Sequence, residues 1–260
     1  MVGISLYSVI PVRTEAREGA EQSTQVLFGE TFEVLEQLPK WHRVRLHSDG
    51  QEGYIDAKMC TLMKDEEYSA YSKALETAAM VAFPMTYAVS ENNGQTIPLT
   101  AGTRLTHYQD GHFEVLGVGF RIDPSMVITA PRELTQENLL QTVRFFLNVP
   151  YLWGGKNALG MDCSGFTQTI LSLFGKHLLR NASEQATQGV AVPKLAQAQA
   201  GDLVFFDHED GKISHVGIVI DPERVIHCSG RVKVEKLDEQ GIYNIEQGGY
   251  SHHLVSIVRL

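Results

Sequence analysis

The sequence predicts an α+β domain, helices packed on an antiparallel sheet, preceded by two small β-barrels. Three observations carry this. Apolar and polar residues alternate with period two from near the N-terminus to about residue 130, the spacing switches to three and four at Thr135, and alternation returns after Leu203. Helices followed by a run of strands make an α+β domain rather than a series of βαβ units. The 260 residues suffice for more than one domain and at least one sizeable core.

In chain order, residues 24–28, 31–35, 41–46 and 53–55 read as strands, separated by Gly29-Glu30, Pro39-Lys40 and Ser48-Asp49-Gly50. This is hairpin punctuation, and a small barrel over residues 1–63 is its natural outcome. Residues 64–80, charged and then alanine-rich, suit a linker or short helix. Residues 81–132 carry strand candidates at 87–89, 97–99, 104–108, 112–115 and 126–128, with Asn92-Asn93-Gly94 and Gln109-Asp110-Gly111 as turns, and suit a second barrel. The third domain spans residues 133–260. In it Leu139, Leu140, Val143, Phe146 and Leu147 line one helical face, which Thr135 caps and Pro150 stops. A second helix begins near Cys163, with Phe166, Ile170, Leu171 and Phe174 inward and Gly175 at its end, and a shorter one starts at Ser183. Strands follow at 203–206, 215–220, 224–227, 232–234 and 254–258. Phe205-Phe206 reads as core, and the acidic runs Asp65-Glu66-Glu67 and His208-Glu209-Asp210 as solvated turns.

A net charge of −9 argues against a nucleic-acid partner. Met1-Val2-Gly3-Ile4-Ser5-Leu6 has no basic leader, and no window approaches a membrane span of about 18 apolar residues. The expectation is a cytoplasmic monomer with no membrane partner, periplasmic or secreted only if an export signal is missing from this chain. Cys60, Cys163 and Cys228, odd in number and scattered, make no disulfide framework and suit a reducing compartment.

Chemistry concentrates in Met161-Asp162-Cys163-Ser164-Gly165-Phe166 and in two downstream histidines, His215 and His227. A thiol attacks as the thiolate, and its free pKa of about 8.5 must come down to be useful near neutrality. The first turn of a helix aims unpaired N–H groups at the sulfur, and a nearby imidazole completes an ion pair. Strand alternation places His215 and Gly217 on one side, Gly217 leaving room for substrate or for the incoming helix. It also puts His227 and Cys228 on opposite faces, so His227 is the orienting partner and Cys228 buried filler. A metal site from Cys163, His215, His227 and Cys228 is disfavoured, because no close ligand pair is present and the strand faces disagree. No metal and no cofactor are expected. Asp162 suits a helix cap, and Trp153 suits either the core or a cleft wall.

Two resemblances follow from these residues. Val12-Arg13, Gly29-Glu30, Trp41-His42-Arg43-Val44 and Glu52-Gly53-Tyr54-Ile55 resemble a bacterial SH3-like domain. The set Tyr151-Leu152-Trp153-Gly154-Gly155, Asp162-Cys163-Ser164-Gly165-Phe166, Gly201-Asp202-Leu203-Val204-Phe205-Phe206, His215-Val216-Gly217-Ile218 and Ile226-His227-Cys228-Ser229 resembles the NlpC/p60 cysteine peptidases over roughly residues 135–260. This resemblance implies a papain-like fold with Cys163 as nucleophile, His215 as base and His227 as orienter, and murein (peptidoglycan) peptides as substrates. With two SH3-like domains upstream, the chain resembles γ-D-glutamyl-L-diamino-acid endopeptidases that act on peptides with a free N-terminal L-alanine and release L-Ala-D-Glu in cell-wall peptide recycling. In that subfamily the residues flanking the nucleophile, here Asp162 and Ser164, hold the substrate ammonium. Arg180-Asn181-Ala182-Ser183 resembles its Arg-x-x-Ser segment, so Ser183 is implied in the pocket; Trp153, as a cleft wall, is a further substrate-binding candidate. The first SH3-like domain of such enzymes overhangs the cleft and supplies a tyrosine hydroxyl; this chain has Gln51 there, with Tyr54 nearby. The alternatives are a wall endopeptidase, an amidase or acyl transferase on the same fold, and a non-catalytic wall-peptide binder.

Overall fold

The computed structural model describes residues 1–207, 211–245 and 247–260. The run His208-Glu209-Asp210, read above as a solvated turn, lies outside the described residues. The chain divides into two compact units, Met1–Pro131 and Arg132–Leu260.

In the first unit, a seven-stranded sheet runs in the order Gln22–Leu27, Val9–Arg13, Glu52–Asp56, Trp41–Leu46, Thr31–Gln37, Val2–Ile4, Thr61–Met63. Its inward residues, among them Ile10, Val12, Val26, Phe32, Val44 and Ile55, form one apolar cluster. Val9–Arg13 escapes the sequence pattern because Pro11 sits inside it. The strand meets Glu52–Asp56 only through Arg13 opposite Tyr54, so the missing proline N–H leaves no gap in that ladder. Asp65-Glu66-Glu67 are the first turn of a helix, Asp65–Leu75, rather than a turn. Acidic side chains complement the positive end of the helix there, and the Glu67 carboxylate accepts from the Lys64 N–H at 2.8 Å.

Residues 79–128 build a four-stranded and a three-stranded sheet. They do not enclose a separate core. Ile4, Phe28 and Met63 join Leu99, Phe113 and Phe120 in a single cluster, with the Phe28 ring edge-on to Phe120 at 5.6 Å.

The second unit opens with a helix, Gln136–Val143, whose Thr135 hydroxyl accepts from the Asn138 N–H. It ends well before Pro150. Asn148 takes a left-handed φ of 67°, and the backbone at Asn148 and Val149 exchanges hydrogen bonds with Val232, which ends the helix earlier than the proline would. Leu147 is therefore exposed, and Leu140 only half-buried.

Beyond it, the antiparallel sheet runs Val190–Ala191, Gly249–Arg259, Leu203–Asp207, His215–Asp221, Arg224–Ser229, Arg231–Asp238, Gly241–Asn244. Gly241–Asn244 also pairs with Gly249–Arg259, so the sheet closes on itself. The helix Cys163–Ser172 packs on the His215–Asp221 and Arg224–Ser229 strands. Phe166, Ile170 and Leu171 are fully buried, and burying three such side chains stabilises this layer by roughly 5–8 kcal/mol. No helix among the described residues is long and apolar enough to cross a membrane.

Candidate active site

Cys163 is the first residue of its helix. Asp162 is the cap, its carboxylate accepting from the Gly165 N–H at 2.7 Å. The glycines of this region permit the close approach: a Cβ on Gly165 would lie 2.1 Å from the Gly155 carbonyl oxygen. Cys163 is 7% exposed, and the backbone N–H groups of Ser164 and Val216 act on its sulfur to favour the thiolate.

The helix start favours the thiolate, as expected, but does not bring this thiol's pKa down on balance. Burial, with the Asp162 carboxylate second, pushes Cys163 up to about 11, and the two N–H groups and Arg180 only partly offset them. A neutral resting thiol follows, which must lose its proton as it attacks. Alkylation of Cys163 by iodoacetamide in a Cys60→Ser, Cys228→Ser background is thus expected to accelerate about tenfold per pH unit from pH ~7 to ~9. A plateau below pH ~8 would show a preformed thiolate instead.

Val216, whose N–H acts on the sulfur, follows His215 at the start of its strand. The His215 Nε2 lies 2.8 Å from Nδ1 of His227, and the two rings meet edge-on. His227 is fully buried; burial lowers its pKa, against the opposing hydrogen bond and charge of Glu235. Gly217, expected to leave room for substrate or helix, faces the neighbouring strand. It lies opposite His227, and a Cβ there would come within 2.5 Å of Val225 and 3.1 Å of the His227 Cβ. Cys228 is fully buried and donates its S–H to the Met161 carbonyl. Burial holds its thiol at about 12. Among the described residues no group of three or more His, Cys, Asp or Glu could hold a metal ion.

The residues implied for substrate differ in burial and partners. The Asp162 carboxylate is 8% exposed and has partners on both oxygens: Oδ1 accepts from Ser164 Oγ, the Gly165 N–H and Arg180 Nη1, and Oδ2 from the Gly154 N–H and Arg180 Nη2 at 2.5 Å. The Ser164 hydroxyl also accepts from Arg180 Nη1 at 2.8 Å. Trp153 is 58% exposed, which excludes the core reading. Ser183 is exposed on a short helix, Ala182–Gln185, and Tyr54 is half-buried in the first unit.

Arg180, known from the sequence only as the first residue of the Arg-x-x-Ser segment, has a role of its own. Its guanidinium is 1% exposed, and it ties the helix start to the segment before Ala182–Gln185. The signal was present, since a lone arginine amid Leu178, Leu179 and Ala182 needs a buried anion. Gln185 reinforces the tie, donating to the Ser164 and Leu179 carbonyls and accepting from the Thr167 hydroxyl.

Comparison with known proteins gives the family. A model of the NlpC/P60 family matches residues 148–258, and one described as the bacterial dipeptidyl-peptidase SH3 domain matches residues 12–58. The gamma-D-glutamyl-L-lysine dipeptidyl-peptidase of Bacillus subtilis (strain 168) is 33% identical over 213 residues, covering 78% of this chain and 71% of the relative. A protein of the same name from Bacillus cereus (strain ATCC 10987 / NRS 248) is 28% identical over 230 residues, 78% of this chain and 66% of the relative. The crystal structure of an NlpC/P60 family protein from Bacillus cereus ATCC 10987 shares the fold with a TM-score of 0.83 at 21% identity, covering 100% of this chain and 99% of that one.

Proposed function

From the premise that this chain belongs to the NlpC/P60 family and is a cysteine peptidase acting on cell-wall peptides, we propose that it hydrolyses the γ-D-Glu–diamino acid bond of murein peptides carrying a free N-terminal L-Ala. The relatives named for γ-D-glutamyl-L-lysine cleavage support this reading, as does the match of residues 12–58 to the SH3 domain of dipeptidyl-peptidases. Residues 81–132 are read as a second SH3-like module, a reading supported by the two small sheets in this part of the chain. Release of L-Ala-D-Glu suits the recycling of wall peptides.

The observation that carries the reaction is Cys163 at the start of a helix packed on the two strands that hold the hydrogen-bonded pair His215 and His227. In the proposed mechanism the Cys163 sulfur attacks the γ-carbonyl carbon while His215 takes the thiol proton. The backbone N–H of Cys163 is assigned to the oxyanion. The C–N bond then breaks, the amine leaves with the proton from His215, and a thioester remains. Water, activated by His215, hydrolyses it and regenerates the thiol. His227 orients His215. No metal or cofactor takes part.

Asp162, Ser164, Ser183 and Trp153 are proposed to read the substrate. Because both Asp162 oxygens already have donors, the ammonium would be met by a carboxylate shared with Arg180, with the Ser164 hydroxyl beside it. The test compares L-Ala-γ-D-Glu-L-Lys and its diaminopimelate analogue with their N-acetylated forms. A charge-assisted hydrogen bond at the amine predicts acetylated peptides cut roughly 10- to 150-fold more slowly. Equal rates would remove the free-amine requirement and leave a wall endopeptidase.

A further inference from the structure

A buried histidine pair raises a question of protons. Each neutral imidazole has one N–H and one lone pair, and activation of a thiol requires the lone pair of His215 to lie on the nitrogen facing the sulfur. Nothing within the His215–His227 pair decides this. The bond between His215 Nε2 and His227 Nδ1 can run in either direction.

The next strand supplies the missing constraint. Arg231–Asp238 pairs with Arg224–Ser229 so that His227 lies opposite Lys233, and Glu235 opposite Val225. Alternation brings Glu235 to the same side as His227, and its Oε2 lies 2.8 Å from His227 Nε2. Its side chain is 11% exposed, and Lys233 Nζ sits 3.0 Å from the same oxygen. Burial opposes ionisation of Glu235, but the hydrogen bonds from His227 and Lys233 outweigh it and hold the carboxyl below its usual range. An ionised carboxylate only accepts. His227 must therefore carry its proton on Nε2, and Nδ1 is left as an acceptor.

We propose that Glu235 is a positioning residue for the reaction: it sets the His227 tautomer, which makes His215 donate through Nε2 and leaves the His215 Nδ1 lone pair as the base for Cys163. The line is carboxylate, imidazole, imidazole, thiol. When His215 takes the thiol proton, the Glu235 anion lies at the far end of that line and stabilises the imidazolium. This inference rests on the assignment of Cys163, His215 and His227 in the proposed function and extends it by one residue.

Other charged or titratable groups face the two rings. Lys233 and Glu235 come from one strand; His252, whose ring lies 4.2 Å from that of His215 and 5.8 Å from that of His227, comes from Gly249–Arg259. Cys163, next to the Asp162–Arg180 pair, opens the helix packed on the strands of His215 and His227. The Ser251 hydroxyl hydrogen-bonds Nδ1 of His252. Of these groups, Glu235 alone pairs a carboxylate with a ring nitrogen of His227 among the described residues.

Four proteins decide the proposal: the native enzyme, Glu235→Leu, Glu235→Gln and, as reference, Cys163→Ala. On L-Ala-γ-D-Glu-L-Lys, Glu235→Leu is expected to lose about 100-fold in kcat, within the range of general-base effects, with KM changed less than about threefold. The acid limb of its kcat/KM profile moves to lower pH, since the imidazolium loses its anion. Glu235→Gln keeps an acceptor for His227 Nε2–H and recovers part of the loss. Nitrogen-15 NMR of histidine-labelled native protein should show Nε2–H on both His227 and His215, a readout independent of turnover and of how the variants fold. Native kcat and an unmoved acid limb in a folded Glu235→Leu protein, or an Nδ1–H on neutral His215, would overturn the role of Glu235. Retained turnover in Cys163→Ala would overturn the catalytic assignment itself.

Discussion

Replacement of Cys163 by alanine is expected to remove hydrolysis of L-Ala-γ-D-Glu-L-Lys by roughly ten-thousand-fold or more, the scale seen when a hydrolase loses its nucleophile. The fold should persist. Cys163 contributes a small buried side chain at the helix start, and the helix cap is made by Asp162 and the Gly165 N–H rather than by the sulfur. Urea unfolding should move by no more than about 1–2 kcal/mol, the range of a small truncation. Cys60→Ser, on a different compact unit, is the matched control for thiol loss. A folded Cys163→Ala protein that keeps more than about 1% of native kcat would end the assignment, because an oxyanion site and binding alone leave far less.

Arg180→Leu carries the largest expected loss of stability, about 3–5 kcal/mol. The size follows from burial on both sides: the guanidinium is 1% exposed and the carboxylate of Asp162 is 8% exposed. Removing the arginine leaves an anion out of water with only the Gly154 and Gly165 N–H groups and the Ser164 hydroxyl as donors. Those three hold the loss toward the lower end of the range. Paired replacement, Asp162→Asn with Arg180→Leu, should be less destabilised than the sum of the single changes, since no unpaired charge remains. Urea titration of the four proteins measures the coupling. If Arg180→Leu lies within about 1 kcal/mol of the native protein, the ion pair does not organise the helix start.

How far the site was legible depends on how local each signal is. Thr135 and Asp162 act as caps because a helix start needs an acceptor within three residues, which sequence displays directly. The spacing of Phe166, Ile170 and Leu171 likewise marks an inward face. His215 and His227 could be placed on strands, and the side-chain period of two separated His227 from Cys228. Pro150 misled, because the helix already ends at Val143 and the chain before the proline, at Asn148 and Val149, pairs with Val232, some eighty residues downstream. Residues of the first expected barrel join the core of the second for a similar reason: nothing local announces that Phe28 packs against Phe113 and Phe120.

Taken by itself, then, the sequence determined the order of helices and strands around Cys163, the residue types the chemistry needs, and which faces they occupy. Those properties depend on neighbours within a turn or two of chain. Only the tertiary structure decided that burial keeps the Cys163 thiol protonated, that Arg180 fills both oxygens of Asp162, and that Glu235 ends the histidine line. Each of these is a balance between desolvation and a partner brought from a distant segment, and strand register sets that balance, which residue spacing along the chain does not encode.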